Sequence, residues 1–352
     1  MTLPESIKLS APPWLNSDQT IVLSHRLRLV RNLERFSFTH IAENNTLKEI
    51  LELVEWSLKK KSLEGDWSFF PFSQLSQSDL NIIQEYFFLP MRSINEQYGA
   101  IAVNETHEQT ILVNSQHHLK ISLINTGEDL VQSYLQLNLI EEQLSSHLSF
   151  SFHPVFGYLS PSPADLGTGL KISYLLHLPA INLLNRLPQA CRIAADHNSV
   201  LRTLSLNHSS NMGNLFVLEY FNSFGPKEES MLAEASQSCS AIRQLEEESG
   251  QFLQDRIPHS INDKVKRSWG ILTHAELLDV KETFNMLSAL RLGTRLNYLE
   301  TVYRPLLNRL LVQSLPYHLS RLAGFTKPEP EQLEIFRAGY IRKLLHEQEG
   351  AK

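Results

Sequence analysis

Phe156-Gly157-Tyr158-Leu159-Ser160-Pro161-Ser162-Pro163-Ala164-Asp165-Leu166-Gly167-Thr168-Gly169-Leu170 is the stretch whose reading decides the fold. Pro161 and Pro163 sit between Gly157 and the Gly167-Thr168-Gly169 element, so the run reads as a turn-rich loop closed by glycine. The apolar run that follows, Leu170 to Leu178, reads as a helix. A loop that delivers the chain into a helix aims backbone N–H groups at an anion. Gly-Thr-Gly alone is no more than a turn signal, and its weight comes from this setting.

Outward from the loop, 352 residues suffice for one large domain or two moderate ones, and a hydrophobic content of 42% supplies an ordinary core. The net charge of −6 gives no general attraction to nucleic acid or to anionic lipid. Cys191 and Cys239 are too few for a disulfide framework or a cysteine-rich metal site. No metal site is expected, and a reducing cytoplasm fits. Met1 to Leu15 lacks a basic segment ahead of an apolar one, so no secretory signal is expected. No apolar run approaches the ~20 residues of a membrane span. Lys59-Lys60-Lys61 reads as a solvated helix face.

Residues 1–20 read as a poorly structured leader with Pro12 and Pro13. Ile21 to Leu33 carries alternating basic residues. Leu47, Ile50, Leu51, Val54 and Leu58 have helical spacing, which predicts a helix over Asn45 to Leu63. Ile111-Leu112-Val113 and Leu119 to Leu123 read as strands around Asn114-Ser115-Gln116-His117. Glu128 to Leu148 reads as a helix with Leu130, Val131, Leu135, Leu137 and Leu144 on its apolar side. Thr203 to Leu206 and Leu215 to Leu218 read as further strands. From Glu228 onward the pattern is helical, interrupted at Pro258, Pro305, Pro316 and near Pro328 and Pro330. The change predicts a sheet-bearing domain, then a helical one, joined near 245–255.

Taken together, these segments resemble the ATP:guanido phosphotransferases. The opening loop is similar to that family's Gly-Tyr-Leu-Thr-x-Cys-Pro-x-Asn-x-Gly-Thr-Gly-Leu-Arg. Val22 to Leu33, Asn114 to Ile121 and Arg202 to Asn207 resemble three more of its motifs. Arg267 to Leu272, Leu290 to Gly293 and Leu315 to Leu319 look like the helical domain of its bacterial protein-arginine kinases. The resemblance implies an α+β fold. A guanido-kinase catalytic domain with a mainly antiparallel sheet flanked by helices would span 21–248, followed by an all-α C-terminal domain over 249–352.

The resemblance also implies site residues. Ser24, Arg26, Arg28, Lys120, Lys171 and Arg202 fall where the family holds the phosphates of Mg-ATP. Lys120 and Lys171 replace arginines there, which keeps charge but loses the bidentate fork. His25 replaces a serine, and Asp165 replaces an asparagine and adds negative charge. The family clamps and deprotonates its guanidinium acceptor, whose pKa exceeds ~12, with two carboxylates. Those positions are Gln116 and Asn207 here, amides that bind but take no proton. A positioned base is worth ~10²–10⁴ in rate. Ser162 stands at the family's cysteine. Glu105 and Glu108 read as a turn between strands. His118 reads as a packing or hydrogen-bonding residue, and His117 as an open alternative base. In the tail, Leu333 to Ala338 matches a phosphoarginine pocket in which Glu334 and Arg337 remain. The alternative is an amphipathic helix with Arg337 and Arg342 facing water.

By resemblance the family reaction transfers the ATP γ-phosphoryl to a guanidine nitrogen of protein arginine. The substituted acids imply weak or lost activity with a regulatory or binding role. An active protein-arginine kinase with a rearranged acid/base site is the alternative, and a small-guanidine phosphagen kinase is the weakest reading. Implied partners are protein clients, a zinc-binding activator protein and a Clp-type protease, with no nucleic acid or membrane. A homodimer is left undecided.

Overall fold

Val22–Arg31 alternates, placing Arg26 and Arg28 on one side and Leu27 and Leu29 on the other, which is the pattern of a strand with one apolar face. It forms the strand β1 of a computed structural model that describes residues 3, 4, 7, 12, 15, 16, 18–60, 63–89, 95–204, 212–222, 224–299 and 302–350. The elements after β1 are α1 (Asn44–Lys59), β2 (Trp67–Pro71), α2 (Gln77–Phe87), β3 (Ala100–Asn104), β4 (Gln109–Val113), β5 (Leu119–Asn125) and α3 (Leu130–Ser145). A small hairpin, β6 (Phe152–His153) and β7 (Gly157–Tyr158), precedes β8 (Leu170–His177). Then follow α4 (Pro179–Leu183), α5 (Leu187–Asp196), β9 (Ser199–Thr203) and β10 (Leu215–Tyr220). The rest is helical: α6 (Glu228–Arg256), α7 (Pro258–His274), α8 (Val280–Arg295), α9 (Arg304–Gln313), α10 (Pro316–Ala323) and α11 (Pro330–Gly350).

Among the described residues, eight strands form one sheet in the order β2-β3-β4-β5-β1-β8-β10-β9. Every pair in it is antiparallel. The expected α+β architecture is therefore present. Leu27, Leu29, Ile121, Leu123, Ile172 and Leu218 bury the back of the sheet against α1, α3 and α6. Each such side chain contributes roughly 1.5–3 kcal/mol on burial. A second core joins Ile101, Leu112 and Ile124 of the front to α2 and to the helices α7, α8, α9 and α11.

Prolines act as helix starts in the C-terminal part. Pro258, Pro305, Pro316 and Pro330 all lie in first turns, where the missing N–H has no intrahelical partner to lose.

The structure departs from the sequence reading in several places. Leu170 to Leu178 is not a helix. Lys171 and Ser173 alternate with Leu170, Ile172 and Tyr174, a period of two, and the segment is the strand β8 in the middle of the sheet. The strand placed at Thr203 to Leu206 is Ser199–Thr203, and residues 205 and 206 lie outside the described ones. The helix α3 starts at Leu130 because Asp129 caps it, accepting from the N–H groups of Val131 and Gln132. Its buried side is Leu130, Leu137, Ile140 and Leu144, whereas Val131 and Leu135 are exposed. The leader is packed where it is described: Leu3, Ile7 and Leu15 are buried in the second core. Near 245–255 the chain is one unbroken helix, α6, whose first interruption comes at Ile257.

Candidate active site

Register decides what meets on the front of the sheet. Arg26 stands opposite Ile124 and Ser173, and Arg28 opposite Ser122 and Lys171. Ser173 stands opposite Glu219, and Val217 opposite Arg202. Alternate residues of a strand share a face. Lys120 of β5, Arg26 and Arg28 of β1, Lys171 of β8, Glu219 of β10 and Arg202 of β9 therefore stand on one side of five adjacent strands. Ser24, in the same register opposite Leu175, stands on that side too, and the register shifts only beyond it, at Val22.

A cavity of about 310 Å³ opens there. Ser24, Arg26, Arg28, Arg202 and Glu219 supply its polar wall, and Phe88, Leu89, Ile124, Leu204 and Val217 supply an apolar one. A smaller cavity of about 150 Å³ adjoins it, lined by Arg26, Arg28, Lys120 and Gln116 beneath Phe87 and Leu89. An open groove beyond is lined by Thr39, His40, Gln116, His117, Ser162 and Asp165. Gln116 thus stands where the smaller cavity meets the groove. Arg202 belongs to the larger cavity, so the two residues face adjoining spaces that share Arg26 and Arg28. Asn207 lies outside the described residues.

The positive charge on this face is incompletely met. Burial, then the neighbouring Arg28, pushes the Arg26 guanidinium down to about 9. Arg26 donates to the Phe87 carbonyl and has no carboxylate partner among the described residues. Burial, then Arg28, pushes the Lys120 amine down to about 8, with Asp165 opposing and Arg26 and Lys171 adding. The Nε of Arg28 is buried without a hydrogen-bond partner among the described residues. An orphaned guanidinium nitrogen beside two uncompensated cations fits a phosphate-bearing ligand, because an anion would satisfy all three. Of the cations named from the sequence, Arg26, Arg28 and Arg202 line the larger cavity together with Ser24, Lys120 lines the smaller one, and Lys171 is paired with Asp165. Among the described residues, no cluster of His, Cys, Asp or Glu is placed to hold a metal ion.

Two acids intrude. Glu219 accepts from Arg28 at 3.2 Å and lies 3.8 Å from Arg202. Asp165 forms an ion pair with Lys171 and lies 3.3 Å from the Nε2 of His117, which also meets the Ser160 hydroxyl at 3.0 Å. Burial alone would raise the Asp165 carboxyl, but its bonds with His117 and Lys171 outweigh that and hold it well below the usual carboxylate range. A carboxylate held that low is a poor proton acceptor. The Nδ1 of His117 is buried and has no hydrogen-bond partner among the described residues.

The glycine loop does not present a helix N-terminus to this face. The Gly167 N–H donates to the Tyr158 carbonyl, and the Leu170 N–H donates to the Thr168 hydroxyl. A Cβ on Gly157 (φ +73°) would sit 2.5 Å from the Gly167 carbonyl oxygen. The loop instead holds buried Arg31, which donates to Thr168 and Glu141 and lies over the Tyr158 ring. Its Asp165 lines the open groove and pairs with Lys171 of β8.

Other sequence assignments resolve as packing. His25 points behind the sheet, bonded to the Gly127 carbonyl and the Ser133 hydroxyl. His118 accepts from the Leu33 N–H and reaches the Ser37 carbonyl, as expected of a hydrogen-bonding residue. Glu105 lies in the turn between β3 and β4. Arg337 does not face water: it is 2% exposed and donates to the carbonyls of Ser314 and Leu278. Glu334 is half-buried beside it. Sequence reading missed Glu219. Extending the strand two residues past Leu218 would have placed it on the face of Val217.

A family model described as ATP:guanido phosphotransferase, C-terminal catalytic domain, matches residues 49–249. One described as protein-arginine kinase McsB C-terminal domain matches residues 258–352. A protein-arginine kinase of Bacillus cereus (strain AH820) is 27% identical over 350 residues, covering 98% of this chain and 99% of the relative. Two solved structures share the fold. A duplicated taurocyamine kinase of Schistosoma mansoni matches with a TM-score of 0.59 at 20% identity, covering 75% of this chain and 41% of that one. A lombricine kinase matches at 0.56 and 18%, covering 68% of this chain and 72% of that one.

Proposed function

The chain belongs to the ATP:guanido phosphotransferase family, and on that premise we propose a protein-arginine-kinase-like member that holds the phosphates of Mg-ATP weakly and transfers little or no phosphoryl group. Its role is then regulatory or binding, exercised on protein partners. Protein clients, a zinc-binding activator and a Clp-type protease are the partners proposed, in the cytoplasm. A sheet-bearing catalytic-type unit followed by a helical unit is the division proposed.

The observation that carries this reading is Gln116 at the junction of the cation cavity and the groove. An amide there can hydrogen-bond an incoming guanidinium but cannot take its proton. The acid in the groove, Asp165, is committed to Lys171 and His117. Calorimetry with Mg-ATP, beside mass spectrometry for phosphoarginine, tests the reading. ATP heat without phosphoarginine is expected. Phosphoarginine at the rate of an intact relative would overturn it.

A second reading keeps activity through a rearranged acid/base pair. It is favoured by Asp165 and His117 lining the same groove as Gln116. Asp165→Asn separates the two, because only this reading makes transfer depend on that carboxylate.

A further inference from the structure

We propose that Glu219 determines ligand specificity in the cation cavity, acting as an internal competitor for the place of nucleotide phosphates. The inference rests on the reading that Arg28 and Arg202 belong to the phosphate site.

Glu219 comes from β10, which sits between β8 and β9, so it projects from the sheet floor between the two arginines. One carboxylate oxygen lies 3.2 Å from Arg28 and the other 3.8 Å from Arg202. A phosphate oxygen seeks the same donors. Glu219 lines the larger cavity and is 27% exposed, so it is neither sealed in the core nor free in water. Ser173, its partner across β8, offers no positive charge to absorb it.

The face then divides into two halves. Arg28, Arg202 and Lys171 are engaged by Glu219 and Asp165, while Arg26 and Lys120 have no carboxylate among the described residues. A triphosphate entering the larger cavity must displace Glu219 from its arginines and then lie beside its negative charge. Both effects weaken polyphosphate most, because repulsion scales with the ligand's charge. The smaller cavity contains Arg26, Arg28 and Lys120 and no acid, so it stays open to a compact anion.

Calorimetry with Mg-ATP on the full-length wild type, Glu219→Gln and Glu219→Ala tests this. Glutamine keeps the shape and a hydrogen-bonding oxygen, and alanine guards against an effect peculiar to the amide. Both variants are expected to bind Mg-ATP about tenfold or more tightly than wild type, equivalent to about 1.4 kcal/mol. Inorganic phosphate, used as a second probe, should gain less than ATP. Unchanged or weaker ATP binding in both variants would overturn the proposal and make Glu219 a residue that positions the arginines. Arg26→Gln distinguishes the underlying reading. If ATP binds and ignores that change, the phosphate site itself is wrong. If Arg26→Gln abolishes binding while Glu219→Gln does not improve it, only the competitor role fails.

Discussion

Lys120→Met should stabilise the protein while removing its affinity for Mg-ATP. Lys120 lies on β5 among Arg26, Arg28 and Lys171, and its amine is depressed from 10.5 to about 8, first by burial and next by Arg28. That depression corresponds to about 3 kcal/mol of unfavourable folding free energy. Solvent at the cavity and the polar neighbours of the new methionine reduce the expected gain to about 1–3 kcal/mol. The sign follows from proton linkage. The unfolded chain keeps the Lys120 proton up to about 10.5, whereas the folded chain loses it above about 8. The cost of the charge is therefore full below pH 8 and fades as the pH climbs towards 10.5. Urea unfolding of wild type and variant at pH 7 and pH 10.5 measures it. The variant should be more stable at pH 7, and the difference should nearly vanish at pH 10.5. A variant less stable than wild type at pH 7, or a difference independent of pH, would refute an uncompensated cation at this position.

Arg337→Met should cost about 2–4 kcal/mol in the same unfolding measurement, because the buried carbonyls of Ser314 and Leu278 lose charge-assisted donors. Gly169→Ala should cost a comparable ~2–4 kcal/mol and lower the melting temperature. Its φ is +62°, and an added Cβ would lie 2.7 Å from Arg31 Nη1 and 2.8 Å from the Val30 carbonyl oxygen. Asp165→Asn should destabilise at neutral pH. The stabilisation from the depressed Asp165 carboxyl is present above the ordinary carboxylate range and lost in acid, so wild type and variant should converge as pH falls. Arginine phosphorylation by Asp165→Asn should be no lower than in wild type.

Much of the fold was legible where the hydrophobic period was clean. Ile111-Leu112-Val113 and Leu119 to Leu123 are strands because their neighbours are turn formers, and the helical spacing of Leu47, Ile50 and Val54 lies within α1. Leu170 to Leu178 misled because a short apolar run has no decisive period at first sight. Only the polar pair Lys171 and Ser173 betrays the strand. The leader was illegible for another reason: Leu3, Ile7 and Leu15 are isolated apolar residues whose burial depends on a distant helical surface. The cations of the site were visible singly, since basic residues at alternate strand positions stand out. Their convergence was not, because it depends on the order β5-β1-β8-β10-β9, which links residues far apart in the chain. The same order brings Glu219 between Arg28 and Arg202. Arg337 resembled a pocket residue in sequence, yet it is buried against the backbone carbonyls of Ser314, at the end of α9, and Leu278, just ahead of α8.

On the proposed reading, this site keeps the means to grip phosphate and lacks a base for the acceptor. The most direct test is a single-turnover experiment with excess enzyme, saturating Mg-ATP and an arginine-bearing protein acceptor, scored for phosphoarginine beside an intact relative. Bound nucleotide is expected, with transfer at least ~10²-fold slower than in the relative and rising when Gln116→Glu and Asn207→Glu are introduced together. Transfer at the relative's rate by the unaltered chain would contradict it.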